Sequence, residues 1–441
     1  MRRVTWLLIL MLATVWLTPA YAGVDEDFEE AYELRLAAAA CLAAYSDRMG
    51  LLAREYLRQD GWEIRPITQS SETAEARFVL ARSSEVEGRS RFILAIVGTE
   101  TVKDVKVDLK TSKVYFAGRT TEEFAANAAM KDVPDTSPKV HSGFHDYVQA
   151  ALTARTPDGK GGERTLGELL LADPALEIFL VGHSLGGAAA TIGAARLMAM
   201  GVRPEQIKVI TFGAPAVGNQ AFCRQFEPVM DLTRVVISGD PVTGVLQKLV
   251  GGYHQFGREL VWKRSALFER GPHAMAEYLD LAMKRYYDVR TAADRAGVFA
   301  LPRESPAGTE PRVYVAPPVN KLPDSLKAEF PYVEQAIADQ YRRLLPGYVL
   351  GGAAPEGETA QLAAAAGSRW YVVTEVGGRK VKDEYNQFFV TVQHTVYETA
   401  TGRATYVAEY ASATANMTPL EALTHDAAGA VGGLAAWLAG R

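Results

Sequence analysis

Ser184 stands at the centre of a residue pattern that is typical of a nucleophile. The chain reads Gly182-His-Ser-Leu-Gly-Gly187, preceded by an apolar run at 177–181 and followed by an alanine-rich stretch at 188–200. This order predicts a strand, a sharp turn and a helix. In such a turn the serine backbone is strained, and side chains at positions 182 and 186 would collide with their neighbours. We therefore expect the Ser184 hydroxyl to project clear of the sheet.

A serine hydroxyl is a weak nucleophile, so it needs a base within hydrogen-bond reach and an acid that orients the base. Asp240 is the strongest candidate for the acid because it follows directly after the apolar, strand-like run 233–237. Functional groups in open parallel sheets collect at the carboxyl ends of the strands. An aspartate before a proline is also a common turn residue, and this reading stays open for Asp240.

His273 is the favoured base among the histidines that follow Asp240. It comes after a Gly-Pro pair and opens a predicted helix over 274–287, so its side chain can reach across the strand tips. His254 begins a strand-like segment and is the weaker candidate. His394 lies within an apolar alternation that is typical of a structural histidine, and His425 lies in the same later part of the chain.

The third requirement is a pair of donors for the negative charge that develops on the substrate oxygen. We expect the first donor to be the backbone amide of Leu185, directly after the nucleophile. A second should come from a loop after an earlier strand, and the run 91–97 ends in Gly98-Thr99. The Thr99 hydroxyl can add a further bond to the same oxygen, although an ordinary strand-ending turn would look alike.

These groups need a scaffold that brings distant loops together, and the rest of the chain indicates one. A long amphipathic helix is predicted over 25–58, ended by Gly61, and seven strand-like runs between residues 62 and 262 have helical stretches among them. Strands that alternate with helices indicate a mostly parallel sheet covered on both faces, hence an α/β fold. We predict this domain over 23–290, a proline-punctuated linker over 291–311, and a smaller α+β domain over 312–441.

The N-terminus has the features of a signal peptide. Arg2 and Arg3 precede an apolar run at 4–17, and the residues up to Ala22 form a small-residue cleavage site of the Ala-x-Ala kind. The run of about 14 apolar residues is shorter than the roughly 20 that a spanning helix needs. The sequence therefore predicts cleavage near Ala22 (signal peptide 1–22) and an exported protein, periplasmic or secreted.

Composition excludes several classes of protein. The chain has 441 residues, 48% of them hydrophobic, and a formal net charge of −5 without a sustained basic block, which argues against nucleic acid as a partner. No cluster of histidines and cysteines has metal-ligand spacing, so neither a metal nor an organic cofactor is expected. The two cysteines, Cys41 and Cys223, are either bridged or two separate buried thiols.

Taken in order, the motifs of residues 51–281 resemble the class 3, or fungal-type, lipases. They are Val97-Gly-Thr99 with Asp108-Leu109, Val140-His-Ser-Gly-Phe144, the serine motif, Thr211-Phe-Gly-Ala-Pro215 with Val217-Gly218, Asp240-Pro-Val242, and His273-x-Met-x-x-Tyr278. The resemblance implies an α/β-hydrolase fold with Ser184 as nucleophile, Asp240 and His273 as its partners, and Thr99 with Leu185 as the oxyanion hole. We expect His141 and His145 to pack or form hydrogen bonds, and His183 to pack beneath the turn.

The expected function is hydrolysis of carboxylic esters of lipids through an acyl-enzyme, with peripheral contact to a lipid surface. A phospholipase or a short-chain carboxylesterase would use the same chemistry on another substrate. A protein of a different class, a non-catalytic binding module for lipid or envelope partners, would keep the fold without the reaction. The later domain, 312–441, contains no catalytic pattern, and its partner is unknown.

Overall fold

The computed structural model describes residues 18–70, 75–83, 91–98, 112–157, 162–249, 251–264, 271–298, 300–353, 355, 357–382, 384, 387–415 and 417–441. Contacts within the chain divide it into two compact units. The first unit comprises the described residues of 32–266 and 270–282, and the second comprises those of 1–31, 267–269 and 283–441. None of the described helices is long and apolar enough to span a membrane.

The first unit is built around a seven-stranded sheet with the order β1-β2-β3-β8-β9-β10-β11. Strands β1, β2 and β3 pair antiparallel, and the remaining pairs from β3 to β11 are parallel. The strands up to the end of this sheet are β1 Trp62–Ser70, β2 Glu75–Ser83, β3 Arg91–Ile96, β4 Lys113–Tyr115, β5 Lys139–His141, β6 Arg155–Pro157, β7 Glu163–Thr165, β8 Glu177–His183, β9 Ile207–Phe212, β10 Asp231–Ile237 and β11 Arg258–Trp262.

Helices precede these strands, occupy most of the connections between them and follow the last one. They are α1 Thr18–Ala44, α2 Arg48–Gln59, α3 Thr121–Ala128, α4 Ser142–Thr153, α5 Leu166–Ala172, α6 Leu185–Ala199, α7 Gln220–Phe226, α8 Val245–Leu249 and α9 Met275–Arg295, with a 3₁₀ turn at Pro204–Gln206. Consecutive residues of a strand point to opposite faces of its sheet, and six consecutive residues of β8 are buried. Both faces of the central sheet are therefore covered, as a parallel sheet requires.

The second unit has a six-stranded sheet with the order β14-β12-β15-β16-β17, in which β13 also pairs with β15. Its elements are β12 Val313–Val315, β13 Val319–Lys321, a 3₁₀ helix Asp324–Glu329, α10 Phe330–Leu344, β14 Tyr348–Leu350, α11 Thr359–Ala365, β15 Trp370–Lys380, β16 Phe388–Glu398, β17 Ala404–Ala413 and α12 Pro419–Ala439. Buried and half-exposed residues alternate along β15 and β16. One face of this sheet is thus packed and the other is open, a pattern common in antiparallel sheets.

The fold class predicted from the sequence is confirmed: an α/β-hydrolase sheet, mostly parallel, is followed by an α+β unit. The start of the last helix shows how local sequence sets an element. The Thr418 side chain accepts a hydrogen bond from the amide of Glu421, and the Glu421 carboxylate accepts one from the amide of Thr418, which forms a capping box. Pro419 at the first helical position adds a residue whose backbone is already set for a helix.

The single helix predicted over 25–58 is wrong, because the structure has two helices there, α1 and α2. The Asp47 side chain accepts a hydrogen bond of 2.9 Å from the Gly50 amide and so caps α2. At Gly50 an added Cβ would lie 2.0 Å from the Tyr45 carbonyl oxygen. Neither the cap nor the close contact can be read from the spacing of apolar residues, so the sequence pattern does not reveal the break.

Two other boundaries differ from the predictions by a few residues. The strand expected over 255–262 begins at Arg258, after Gly257 with a φ of +81°. The helix expected over 274–287 runs from Met275 to Arg295, so the first residues of the predicted linker 291–311 are helical. The domain boundaries at 290/291 and 311/312 stay a prediction.

Candidate active site

Ser184 occupies the turn between β8 and α6, and its backbone is strained. Its φ of 57° and ψ of −129° lie in a region that residues with a side chain rarely adopt. The turn nevertheless continues the sheet, because the Ser184 amide donates a hydrogen bond of 2.9 Å to the carbonyl of Phe212 on β9. Backbone strain of this kind costs about 1–3 kcal/mol and persists only where the surrounding structure enforces it.

The glycines around Ser184 are required by close backbone contacts. A Cβ at Gly182 would lie 2.3 Å from the carbonyl carbon of Gly186. A Cβ at Gly186 would lie 2.2 Å from the carbonyl oxygen of Ile96, and one at Gly187 would lie 2.7 Å from the Ala214 Cβ. Helix α6 therefore packs directly on β8 and β3. The steric reason inferred from the glycine spacing is present in the structure.

Ser184, His273 and Asp240 form one chain of hydrogen bonds, although they are far apart in sequence. The Ser184 Oγ lies 2.9 Å from His273 Nε2, and His273 Nδ1 lies 2.9 and 3.0 Å from the two carboxylate oxygens of Asp240. All three residues are buried. A carboxylate only accepts hydrogen bonds, so Nδ1 carries the proton, and Nε2 of the neutral ring accepts the serine proton.

Asp240 is held by two further donors, and one of them comes from a tyrosine. The Tyr278 hydroxyl donates a hydrogen bond of 2.7 Å to Oδ2, and the Val242 amide donates one of 2.9 Å to Oδ1. The Tyr278 oxygen itself accepts from the Ile237 amide at 3.1 Å. Burial, together with the adjacent Asp240 charge, raises the pKa of Tyr278 well above its usual value, so it stays a donor. Tyr278 belongs to the predicted histidine motif, but its bond to Asp240 was not predicted.

Of the two residues predicted to form the oxyanion hole, Leu185 lies within the described residues and Thr99 does not. Leu185 is the first residue of α6, and the first amides of a helix have no partner within the helix. Thr99 lies outside the described residues. Gly98, directly before it, lies against the nucleophile: a Cβ there would be 3.2 Å from the Ser184 Cβ. The end of β3 therefore reaches the serine turn.

His183, directly before the nucleophile, is fully enclosed and hydrogen-bonded at both ring nitrogens. Nε2 lies 2.8 Å from the carbonyl oxygen of His273, and Nδ1 lies 2.6 Å from the Tyr45 hydroxyl. The His183 and His273 rings are 4.6 Å apart. Burial, with a smaller effect of the His273 charge, lowers the pKa of His183 well below its usual value. Tyr45 was not identified from the sequence, where it is one apolar position of a predicted helix.

The remaining histidines do not join this cluster of hydrogen bonds. His141 stacks on Phe144 with ring centroids 4.2 Å apart, and burial lowers its pKa to about 4. His145 lies 3.3 Å from the Asp146 carboxylate, and burial lowers its pKa to about 4 as well. His254 is exposed in a loop. His394 is buried in the second unit, where its Nε2 lies 3.0 Å from the Tyr341 hydroxyl.

No group of three histidine, cysteine, aspartate or glutamate side chains within the described ranges could hold a metal ion. Cys41 and Cys223 are both free and buried. Burial raises the pKa of Cys41 and brings that of Cys223 to about 11, so both thiols stay protonated. The two cysteines are therefore separate buried thiols and are not bridged, which is the second of the two alternatives that the sequence left open.

A cavity of about 610 Å³ lies within the second unit, and its lining is rich in charged side chains. Two of its arginines, Arg290 and Arg342, are paired with Asp339 at 2.7 and 2.8 Å. Among the described residues of its lining there is no serine, cysteine or histidine. The chemistry described above therefore belongs to the serine turn of the first unit and not to this cavity.

The serine with a positive φ lies at the carboxyl end of the parallel strand β8, and its hydrogen-bonded histidine and aspartate complete an arrangement that can support nucleophilic catalysis. Residues 93–249 match the family Lipase (class 3). The predicted resemblance to class 3 lipases is confirmed over these residues. The match contains the serine turn and Asp240, and it ends before His273.

Individual relatives match limited parts of the chain. Phospholipase A(1) DAD1 of Arabidopsis thaliana is 28% identical over 160 residues, which are 36% of this chain and 34% of the relative. The secreted mono- and diacylglycerol lipase 2 of Gibberella zeae is 29% identical over 147 residues, 33% of this chain and 34% of the relative. The chain thus spans about a third of the length of these relatives. Lipase II from Rhizopus niveus, a solved structure, is 20% identical with a TM-score of 0.39 and covers 53% of this chain and 80% of its own.

Proposed function

We propose that this protein is an exported serine hydrolase that cleaves carboxylic esters of lipids through an acyl-enzyme on Ser184. The observation that carries the proposal is the hydrogen-bonded chain from Ser184 through His273 to Asp240 at a strained turn. Backbone strain is tolerated at functional sites, and here it is combined with the geometry that nucleophilic catalysis needs. The family match over 93–249 supports the same reaction class.

In the first half of the reaction Ser184 attacks the ester carbonyl. Its hydroxyl proton moves to His273 Nε2 as Oγ bonds to the carbonyl carbon, and the carbonyl oxygen becomes an oxyanion. The Leu185 amide and the Thr99 backbone and hydroxyl are the proposed oxyanion donors. The Asp240 carboxylate stabilises the His273 imidazolium that forms, and Tyr278 holds the carboxylate in place.

In the second half the intermediate collapses and the acyl group is released. The bond between the carbonyl carbon and the alcohol oxygen breaks, and His273 returns its proton to the leaving alcohol. A water molecule then attacks the acyl-enzyme, His273 takes one of its protons, and the fatty acid leaves as Ser184 regains its hydrogen. No metal or organic cofactor takes part in this proposal.

The same site supports a second candidate substrate class. A relative named as a phospholipase A1 matches as well as one named as a mono- and diacylglycerol lipase, at 28% and 29% identity. Both reactions cleave a carboxylic ester of a glycerolipid and differ in the head group that the pocket accepts. Hydrolysis of a phosphatidylcholine compared with a triacylglycerol of equal acyl length would separate them.

We also propose that residues 1–22 are removed on export, that residues 23–290 carry the reaction, and that residues 312–441 form an accessory domain joined by 291–311. The basic start and apolar run at 2–17 support export. N-terminal sequencing of the exported protein is expected to give Gly23 as the first residue. A mature chain that keeps Met1 would contradict the signal peptide.

Replacing the nucleophile tests the proposed reaction directly. The Ser184→Ala variant should lose at least about 10⁴-fold in kcat for p-nitrophenyl butyrate and caprylate, because it lacks the hydroxyl that forms the acyl-enzyme. Ser137→Ala is the matched control, since that serine lies in a loop of the same unit and its described contacts are made by its backbone. Activity of Ser184→Ala near that of the control would refute the proposal.

A fluorophosphonate probe distinguishes the hydrolase from a non-catalytic binding module. The probe phosphonylates a serine that is activated by a base, so the parent protein should be labelled stoichiometrically and Ser184→Ala should stay unlabelled. A folded parent protein that does not react would favour the binding module.

A further inference from the structure

Tyr45 and His183 form a second set of hydrogen bonds directly beneath the serine and the base. His183 precedes Ser184 in the chain, and its Nε2 lies 2.8 Å from the main-chain oxygen of His273. It therefore connects the backbone of the serine turn with the backbone of the loop that presents the base. The Tyr45 hydroxyl, 138 residues away in sequence, lies 2.6 Å from His183 Nδ1.

The proton positions on His183 follow from its partners. A carbonyl oxygen only accepts hydrogen bonds, so Nε2 must carry a proton. No carboxylate of the described residues contacts the ring of His183, and burial keeps the ring neutral. A neutral imidazole has one proton, so Nδ1 is an acceptor and the Tyr45 hydroxyl is the donor.

The position of Tyr45 places the same hydroxyl near the end of β3. A Cβ at Gly98 would lie 2.5 Å from the His183 carbonyl oxygen, 3.1 Å from the Tyr45 hydroxyl and 3.2 Å from the Ser184 Cβ. Tyr45 is the first residue after α1, at the break between α1 and α2. The break that the sequence pattern does not reveal thus supplies the donor.

We propose that Tyr45 and His183 are positioning residues for the reaction at Ser184. Tyr45 keeps the His183 proton on Nε2, and His183 in turn holds the His273 carbonyl so that the imidazole of His273 stays within hydrogen-bond reach of Ser184. Without the tyrosine hydroxyl, the proton can move to Nδ1. The lone pair of Nε2 would then face the lone pairs of the His273 carbonyl, and the loop that carries the base would move away.

A neutral His183 also matters while His273 is charged. The two ring centroids are 4.6 Å apart, so a positive charge on His183 would oppose the imidazolium that forms when His273 takes the serine proton. Because the Tyr45 hydroxyl donates a hydrogen bond to Nδ1, that nitrogen carries no proton and the ring has only the proton on Nε2. The pair therefore holds the loop and adds no charge beside the base.

This inference rests on the proposed function, and a double substitution tests it. Tyr45→Phe should lower kcat for p-nitrophenyl butyrate about tenfold with KM within about twofold, since the base shifts but the substrate pocket does not. His183→Gln is the rescue variant, because its side-chain amide keeps an N–H near the position of Nε2 and has no alternative tautomer. Adding Tyr45→Phe to His183→Gln should change kcat by less than about twofold.

Two outcomes of this cycle would overturn the inference. The first is a Tyr45→Phe variant whose kcat equals that of the parent protein. The second is a Tyr45→Phe substitution that lowers kcat by the same factor in the parent protein and in the His183→Gln variant. Tyr341→Phe is the matched control, because Tyr341 also bonds to a buried histidine but in the second unit, and its kcat should equal that of the parent. A parent protein that hydrolyses no ester and binds no fluorophosphonate would instead refute the proposed function.

A measurement on the unsubstituted protein makes the test independent of how the variants fold. The ¹⁵N chemical shifts of the His183 ring should show a protonated Nε2 and an unprotonated Nδ1 from pH 6 to pH 8. A proton on Nδ1, or a doubly protonated ring in this range, would refute the assignment even if every variant failed to fold.

Discussion

Among the described residues, each unit has a buried histidine that is hydrogen-bonded to a tyrosine hydroxyl. Tyr45 bonds to His183 at 2.6 Å in the first unit, and Tyr341 bonds to His394 at 3.0 Å in the second. Burial lowers the pKa of both histidines, well below the usual range for His183 and to about 4 for His394. Considered alone, the two pairs have nearly the same chemistry.

Their surroundings differ in what the hydrogen bonds connect. The Tyr341 hydroxyl also lies 2.9 Å from Thr374 Oγ1, so that cluster ends within the core of its own sheet. His183 bonds instead to the backbone of His273, whose side chain reaches a serine with a positive φ. A buried, hydrogen-bonded histidine is therefore no sign of a site by itself. Strained backbone at the end of a parallel strand is what distinguishes the first unit.

The largest expected effect comes from replacing one histidine in each unit. His273→Gln should lower kcat/KM about 10⁴-fold, because no base remains to accept the Ser184 proton. His394→Gln should leave kcat/KM of the folded protein within about twofold. Steady-state kinetics measures both values of kcat/KM. The enzyme concentration is taken from active-site titration for the parent protein, and the folded fraction of each variant is taken from circular dichroism. Comparable losses from the two substitutions would remove the distinction drawn between the units.

A smaller effect is expected from adding a methyl group to one glycine in each unit. Gly186→Ala should destabilise the first unit by about 3 kcal/mol, because the new Cβ would lie 2.2 Å from the Ile96 carbonyl oxygen. Gly432→Ala should stabilise α12 by roughly 0.5–1 kcal/mol, because nothing lies within 4 Å of its Cβ and alanine favours a helix. Thermal unfolding followed by calorimetry measures both changes. A Gly186→Ala variant with the unfolding free energy of the parent protein would mean that the serine turn has room for a Cβ at this position.

The smallest effect is a change of stability with pH in the second unit. Asp426 is buried on α12 and accepts a hydrogen bond of 2.6 Å from Ser412, and burial raises its pKa to about 6. Because this value is above that of an unfolded aspartate, about 3.9, the protonated form stabilises the fold. Its contribution is fully present below pH 3.9 and is lost as the pH rises through 6.

Asp426→Asn removes this titration and leaves the other groups in place. Relative to the variant, the parent protein should gain about 1 kcal/mol of stability in α12 between pH 7 and pH 5. Hydrogen exchange of the α12 amides, compared between the two proteins at each pH, measures the difference, and His394 titrates in both and cancels. A constant difference between the proteins at pH 7 and pH 5 would contradict the raised pKa of Asp426.

Much of the first unit could be predicted because its determinants are local. The apolar run before Ser184 and the glycines around it define a strand, a turn and a helix within about 25 residues. In the second unit, the alternation of buried and half-exposed residues along β15 and β16 is equally local. Where the structure differs from the prediction, at the break between α1 and α2, the deciding interactions are a cap by Asp47 and a close contact at Gly50 that periodicity does not report.

The supporting residues of the candidate site could not be found in the same way. Tyr278 is 38 residues from Asp240, and Tyr45 is 138 residues from His183. Nothing in the sequence around Tyr45 distinguishes it from a tyrosine that only packs, and the motif that contains Tyr278 does not show that its hydroxyl bonds to Asp240. Their roles depend on which loops the sheet order brings to one edge, and that is known only once the fold is known.

The two free, buried thiols have a consequence for how the protein can mature. Neither Cys41 nor Cys223 is joined to a partner, and both resist deprotonation because they are enclosed. The fold therefore needs no oxidative step, and a reductant such as dithiothreitol has no covalent bond to break.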